Sequence, residues 1–171
     1  MTGYQMRQDA GSAAAGTLPR DLVAQSASRA HPAGPFWSWE RFGQTRTVLD
    51  DGRIVCVGGE HEDWYDPDFC IYNDVVVLHP DGRHDIYIYS PNVFPPTDFH
   101  SATRIGDRII IIGCLGYVDL RQPGHTPVFE LDIETFAITP LTTTGVQPGW
   151  LHRHSVEKLE DDRLLVLGGR V

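Results

Sequence analysis

Features that mark membrane proteins, disulfide-bonded proteins and zinc proteins are missing from this sequence. No unbroken apolar run is longer than four residues, as in the four isoleucines at 109–112, whereas a membrane helix needs about 20 apolar residues. The three cysteines, Cys56, Cys70 and Cys114, show no CxxC or CxxH spacing, so neither a disulfide framework nor a zinc knuckle is expected. Residues 1–23 contain no uninterrupted apolar segment of the kind found in secretory signals.

Basic charge is also scarce. The formal net charge is -9 and the isoelectric point is about 5.2, which makes nucleic acid and membrane surfaces unsuitable partners. Cysteines without a pairing pattern fit a reducing compartment, so we expect a cytoplasmic location. The chain has 171 residues, of which 41% are hydrophobic, and this is enough for one packed domain.

The composition changes near residue 35. Residues 1–35 are rich in Ala, Gly, Ser and Pro, and such a segment buries too little apolar surface to offset the entropy of ordering it. We expect a flexible N-terminal arm there, with at most one short helix near residues 21–28. The aromatic residues Phe36, Trp37 and Trp39 open the folded part, which we place at 36–171.

Short strand-like segments follow one another through the folded part. Five of them are mostly β-branched, aromatic or leucine, at 54–57, 75–78, 86–89, 109–112 and 164–167. Asp-Gly, Gly-Asp and Asp-Asp pairs bound them as turns. No window shows a sustained 3.6-residue apolar period. The sequence therefore predicts an all-β fold with almost no helix.

These segments repeat with a period of 55 residues. Three aligned segments place an arginine at this spacing, and a glycine follows each arginine five positions later. The residues are Arg53, Arg108 and Arg163, with Gly58, Gly113 and Gly168. Self-similarity at a fixed period indicates a repeat architecture. We interpret the three arginines as turn-capping surface residues rather than an anion clamp.

Each full unit holds four predicted strands, a to d. They lie at about 44–49, 53–58, 73–79 and 84–90 in the first unit, and at 99–105, 108–113, 127–132 and 135–141 in the second. The third unit has strands a and b alone, at about 153–159 and 163–168. The units themselves span about 40–98, 99–152 and 153–171.

These motifs resemble the kelch-repeat family. The likeness is carried by the doublets Gly58-Gly59 and Gly168-Gly169, by Asn73-Asp74-Val75, by Arg153-His154 and by the stretch from Leu131-Asp132 to Phe136. It covers residues 40–171 and implies kelch-type four-stranded antiparallel blades of an incomplete β-propeller. Three positions depart from the pattern. Cys114 replaces the second glycine of the middle doublet, Phe136 replaces the usual tryptophan, and Gln44 stands where the other units have histidine.

The number of repeats is small for a propeller. Residues 36–171 are 136 residues, or about two and a half units of 55, whereas closed propellers typically have 4–8 blades. Three explanations stay open at this point. The chain is a fragment of a larger propeller, copies of it combine into a homo-oligomer, or its sheets pack openly.

Loop lengths differ between the two ends of the predicted sheets. The a–b and c–d turns are short, whereas the b–c loops and the d–a links are long, at about 60–72, 91–98, 114–126 and 142–152. Because long loops on a rigid scaffold commonly carry function, we place the functional surface at the long-loop end. The predicted ligand- or partner-binding residues are His61, Asp63, Trp64, Tyr65, Tyr117, Arg121, Trp150 and His152.

The acidic loop at 60–68 has three interpretations. It is a solvated loop, a partner-binding loop, or a site for a hard cation that uses its carboxylate oxygens. Histidines suggest a second metal hypothesis, since His152 and His154 lie two residues apart and point to one face of a strand. His100 and His154 share one repeat position, and we expect them to bond a neighbouring backbone and tie unit to unit. No metal site or cofactor is predicted.

Signatures of the common enzyme classes are absent from the sequence: it has no GxSxG, P-loop or GxGxxG motif. Cys70 and Cys114 suit a nucleophile by their place on the long loops alone. The leading hypothesis is a non-catalytic kelch-type module that binds a protein or small ligand. The alternative is a small-molecule enzyme for sugar or nitrile chemistry, with or without a metal, which uses His61, His152 and acidic residues of the same face.

Overall fold

A computed structural model of the chain describes residues 4–7, 37–61, 69–160 and 162–171. These residues form an all-β protein, in which the single helical element is a 3-10 turn at Val118–Leu120. None of the described residues forms a helix long and apolar enough to cross a membrane. The predicted all-β class is confirmed.

Two larger sheets and one strand pair follow the repeat. The first sheet contains β1 (Tyr4–Arg7), β2 (Thr45–Val48), β3 (Ile54–Val57), β6 (Asp74–Leu78) and β7 (His84–Ile88), in the order β1-β7-β6-β3-β2. Between β3 and β6, β4 (Glu60–His61) pairs with β5 (Cys70–Ile71). The second sheet contains β8 (Ser101–Ile105), β9 (Arg108–Ile112), β10 (Val128–Asp132) and β11 (Ile138–Pro140), in the order β11-β10-β9-β8. The third unit pairs β12 (His152–Lys158) with β13 (Leu164–Arg170).

Antiparallel four-strand units are therefore confirmed, with small shifts at their ends. The largest shift is in the last strand of the second unit, which begins at Ile138 instead of residue 135. There the Asp132 carboxylate accepts hydrogen bonds from the backbone N–H groups of Glu134 and Thr135, and Phe136 adopts a left-handed φ of 56°. This turn delays the strand because an aspartate side chain competes with the sheet ladder for backbone donors.

The N-terminal arm contributes one strand that the sequence did not suggest. Strand β1 pairs in parallel with β7 and adds a fifth strand to the outer edge of the first sheet. The rest of the predicted arm, including the possible helix near 21–28, lies outside the described residues.

Alternate side chains of each strand pack on different neighbours. In β9, Ile109 and Ile111 pack with the first sheet, whereas Ile110 and Ile112 belong to the cluster that contacts the third unit. This follows from the two-residue period of a strand. We call the side of a unit that packs on the preceding unit its leading face, and the side that receives the following unit its trailing face.

Three hydrogen bonds repeat at both junctions between units. At the first, Phe99 N–H donates to Gly43 C=O over 2.9 Å, Gly59 N–H donates to Thr97 C=O over 2.8 Å, and the His100 imidazole shares a 2.8 Å bond with the Thr45 hydroxyl. At the second, the equivalent bonds are Arg153 N–H to Phe99 C=O, Cys114 N–H to Leu151 C=O, and the His154 imidazole with the Ser101 hydroxyl.

The prediction that His100 and His154 tie one unit to the next is thus confirmed, but their partners are side-chain hydroxyls and not backbone groups. The first strands β2, β8 and β12 contact one another in sequence. Each of the first two units thus has four antiparallel strands, and the third has one strand pair. Their contact through the first strands is compatible with consecutive propeller blades.

Close backbone approach explains why a glycine recurs every 55 residues. A Cβ atom at Gly58 would collide with Thr97 C=O, and one at Gly113 would collide with Leu151 C=O. Both glycines also have positive φ, 53° and 70°, which costs other residues more than glycine. The repeated glycine is therefore the place where the backbone of the next unit presses against a sheet.

Candidate functional site

The two ends of the sheets differ as the loop lengths predicted. At one end tight turns are closed by local bonds; Arg53 pairs with Asp51, and the Arg83 backbone N–H donates to Asp81. Arg163 Nε donates to Glu160 C=O within its own turn, so Arg53 and Arg163 agree with the prediction of turn-capping arginines. Arg108 differs, because it pairs with Glu130 of the neighbouring strand β10. The other end carries the connections 58–73, 89–100, 113–127 and 141–151, and we call it the long-loop face.

Side chains from three of these loops converge on the backbone of residues 115 and 116. The Leu115 C=O accepts from Trp150 Nε1 over 3.0 Å and from Arg121 Nε over 2.9 Å. The Gly116 C=O accepts from the guanidinium of Arg121 over 3.2 Å. Trp150 and Arg121, both predicted site residues, therefore hold the backbone of the 113–127 loop in place through hydrogen bonds.

Asp98 anchors the same segment from beneath. Its backbone C=O accepts from Leu115 N–H over 2.9 Å, and its Oδ1 accepts from Gly116 N–H over 2.7 Å. The residue is 0% exposed. Its second carboxylate oxygen, Oδ2, is buried and has no hydrogen-bond partner among the described residues. A buried acceptor of this kind is rare and costly in proteins.

His152 lies near this carboxylate and is partly buried. Burial lowers its pKa, the positive charges of Arg153, Arg121 and Arg170 lower it further, and Asp98 acts in the opposite direction. His152 is therefore neutral at pH 7. Its Nδ1 is buried and, like Asp98 Oδ2, has no partner within the part of the chain that the structure describes.

Tyr117 connects the loops of the first and second units. Its hydroxyl oxygen accepts from the Ile71 backbone N–H over 3.0 Å, and its ring meets Phe69 edge-on with ring centroids 6.0 Å apart. Burial raises the pKa of Tyr117. The side chain folds over the neighbouring loop, which agrees with the alternative that it packs on the edge of a blade rather than reaching a ligand.

Predicted residues from the first unit are only partly described. His61 lies in β4, opposite Cys70 in the short ladder with β5. Asp63, Trp64 and Tyr65 lie outside the described residues, so the predictions for the acidic loop keep their status as predictions. In the described ranges no group of three His, Cys, Asp or Glu side chains is placed to hold a metal ion.

All three thiols are held in their protonated form. Burial raises the pKa of Cys56 and Cys70, and it raises that of Cys114 to about 12. Cys56 is buried in a core cluster with Trp37, which confirms that it packs as a small apolar residue. A protonated thiol is a poor nucleophile, so the geometry gives no support to Cys70 or Cys114 in that role.

The structure thus brings Tyr117, Arg121, Trp150 and His152 to one region, and it adds Asp98, which the sequence analysis missed. A signal for Asp98 was present in the repeat. Asp98 lies two residues before His100, as His152 lies two residues before His154. The two residues therefore occupy equivalent places in consecutive units.

No protein-family model matches this chain, and no curated protein matches it either.

Proposed function

We propose that the chain is a kelch-type β-propeller module that binds a protein or small ligand on the long-loop face, beside Asp98 and His152. The buried Asp98 Oδ2, which lacks a partner in the described residues, carries this proposal. Leaving such an oxygen without a donor costs about 1–3 kcal/mol. A donor group of a ligand that reaches this buried oxygen recovers the cost and gains affinity.

The neighbouring charges narrow the chemistry of the ligand. Arg121, Arg153 and Arg170 lie close enough to His152 to lower its pKa, and this positive charge disfavours a cationic ligand beside His152. The unpartnered Nδ1 of neutral His152 offers a second polar contact. A neutral group that can both donate and accept, such as a hydroxyl or a primary amide, fits these two atoms best.

The experiment is a set of NMR titrations that follow the backbone amides of Leu115 and Gly116, which bond directly to Asp98. The probes are methyl glucoside for hydroxyls, acetamide for amides and propylammonium as a cation. We expect saturable shifts with a neutral probe, and we expect Asp98→Asn to abolish them. Asp81→Asn, in a tight turn at the opposite end, is the matched control and leaves the shifts unchanged.

Two results would contradict the proposal. One is a set of shifts that persists in Asp98→Asn. The other is a response confined to the tight turns, for instance at the amides of Gly82 and Gly106. Either result places the binding surface away from Asp98.

One observation favours the enzyme alternative on the same face. His152 is neutral at pH 7 and lies near a buried carboxylate, and such a pair suits general acid–base chemistry. The two functions separate in turnover at saturating substrate: an enzyme converts the bound substrate and loses this conversion in His152→Gln, whereas a binding module converts none and His152→Gln changes its affinity alone. Metal analysis of the purified protein tests the metal-assisted version of this alternative.

A further inference from the structure

The trailing faces of the three units differ in one respect. In the first unit Val55 and Val57 are fully buried by the second sheet, and in the second unit Ile110 and Ile112 are buried against the third. The repeat places Leu165 and Leu167 at the equivalent positions of β13, but there they are 41% and 40% exposed. The third unit therefore presents an apolar trailing face that no described residue covers.

The polar groups of the junction are present on this face too. By the repeat, Arg153 C=O, the Ser155 hydroxyl and Gly169 N–H match the groups that bond the following unit at the first two junctions. Gly168 is the equivalent of Gly113 on this face, and its φ of 65° is close to that of Gly113. A Cβ at Gly168 would meet nothing within 4 Å, so the space that the next unit fills at Gly113 is open here. The third unit thus keeps the complete receiving half of a junction.

A matching half is found on the leading face of the first unit. Trp37 packs on the centre of this sheet with Val76 and Ile86, so the accessible part runs along β2. Val48 of β2 is 67% exposed. It is the repeat equivalent of Arg104 in the second unit, whose side chain donates across the first junction to Asp50. By the repeat, Gln44 takes the place of the junction histidine. Its Nε2 donates one hydrogen to Gly58 C=O over 3.3 Å and has a second hydrogen for a serine hydroxyl.

Charge is complementary between the two faces. Arg46 extends from the leading face of β2 beside Val48, and Glu157 extends from the trailing face of β12 opposite Leu165. Both are exposed, and neither forms an ion pair with another described residue. Opposite charges on two faces with matching hydrogen-bonding groups favour one specific mode of docking.

We propose that the trailing face of the third unit binds a second copy of this chain through the leading face of the first unit of that copy. The contact is head to tail: one copy offers Leu165, Leu167 and Glu157, and the other offers Val48 and Arg46. Such heterologous contacts close into a ring or continue as a filament. The surface lies on the flank of the sheets and is separate from the site around Asp98.

The test uses light scattering and sedimentation of the full chain over a range of concentrations. The wild type is expected to reach at least twice the 19.1 kDa of one copy. Leu167→Glu and Val48→Glu each block one face, so each variant alone is expected to stay at the mass of one copy. An equimolar mixture keeps one intact pair of faces and is expected to form a one-to-one dimer with twice that mass.

Val146→Glu is the matched control, because Val146 is 103% exposed and lies in the 141–151 loop; it is expected to associate as the wild type does. A second pair avoids placing charge on apolar positions. Glu157→Arg and Arg46→Glu are each expected to weaken association at least tenfold, and their mixture is expected to restore it.

Several outcomes would overturn the proposal. A wild-type mass that stays at one copy at every concentration shows that the trailing face does not bind a second copy. If only one of the two blocking variants reduces association, and mixing the variants does not restore it, the contact is symmetric and uses one face of each copy. Association that survives both blocking variants places the interface elsewhere.

Discussion

The two junctions between units share their hydrogen bonds and differ in their cores. Each junction has the same backbone pairs and one histidine–hydroxyl bond. The first encloses a cluster of fifteen buried residues, and a further buried bond links the Tyr89 hydroxyl to Phe136 C=O over 2.6 Å. The cluster at the second has three buried residues. Directional bonds thus set how units sit side by side, whereas the buried apolar area sets how strongly they hold.

The largest expected effect on stability concerns two adjacent isoleucines of β9, which face different junctions. Ile111 faces the first junction and is fully buried, whereas Ile110 faces the second. We expect Ile111→Ala to lower the free energy of unfolding by about 4 kcal/mol and Ile110→Ala by about half as much, because the cost follows the cavity left behind. Urea unfolding of both variants measures it, and equal losses would show that the two cores contribute alike.

Two glycines of the repeat compare a junction that is filled by the next unit with the uncovered trailing face of the third unit. Gly113 and Gly168 have similar positive φ values, 70° and 65°, so an alanine suffers similar backbone strain at either position. At Gly113 the added methyl also meets Leu151 C=O. We expect Gly113→Ala to cost at least about 2 kcal/mol more than Gly168→Ala. If the two costs agree in unfolding experiments on the single copy, backbone strain accounts for both and the close approach does not.

The junction histidines predict a dependence of stability on pH. Burial, with a smaller effect of His154, lowers the pKa of His100 to about 3. The unfolded chain binds a proton at His100 below about pH 6.5 and the folded chain does not. Stability is therefore complete above pH 6.5 and falls towards pH 3, by up to about 1.4 kcal/mol per pH unit for one proton.

The matched variants are His100→Gln and His154→Gln, since glutamine already stands at the equivalent position 44. Burial lowers the pKa of His154 as well, with a contribution from His152. Because His100 is the more buried of the two, its replacement is expected to remove more of the slope between pH 6.5 and 4. Melting temperatures across this range decide it. An unchanged slope in His100→Gln would mean that other groups control the acid response.

The smallest effect is expected at the surface of the first junction. Arg104 donates to the Asp50 carboxylate over 2.8 Å, but the Asp50 side chain is 90% exposed. Exposed ion pairs contribute little because water screens them. We expect Arg104→Ala to change the melting temperature by less than about 2 °C, and a much larger fall would show that charge adds to the strength of this junction.

Strand positions were predictable where local pattern and repeat agreed. The run at 109–112 was predicted as a strand because it is apolar, bounded by a Gly-Asp turn, and aligned with 54–57 and 164–167, and all three segments are strands. Strand β1 was not predicted, because its pairing with β7 depends on a partner about 80 residues away. Local composition at Tyr4–Arg7 carries no sign of that partner.

The candidate site was predicted in outline and not in its central residue. Loop lengths predicted a site on the long-loop face, and the structure brings four of the predicted residues into one region of that face. Asp98 was not predicted because the local sequence around an aspartate before a strand does not show which groups of other loops surround it. Its significance comes from the burial of one oxygen beside residues 115 and 116, which belong to a different loop.

The sequence alone determined the all-β class, the 55-residue period, the four strands of each full unit and the contrast between short and long loops, because these follow from the spacing of apolar residues, glycines and turns along the chain. Tertiary structure decided which groups meet. The hydroxyl partners of His100 and His154, the unpartnered oxygen of Asp98 and the exposure of Leu165 and Leu167 all depend on whether a neighbouring unit stands beside a sheet. That is a property of distance in space, which spacing along the chain does not contain.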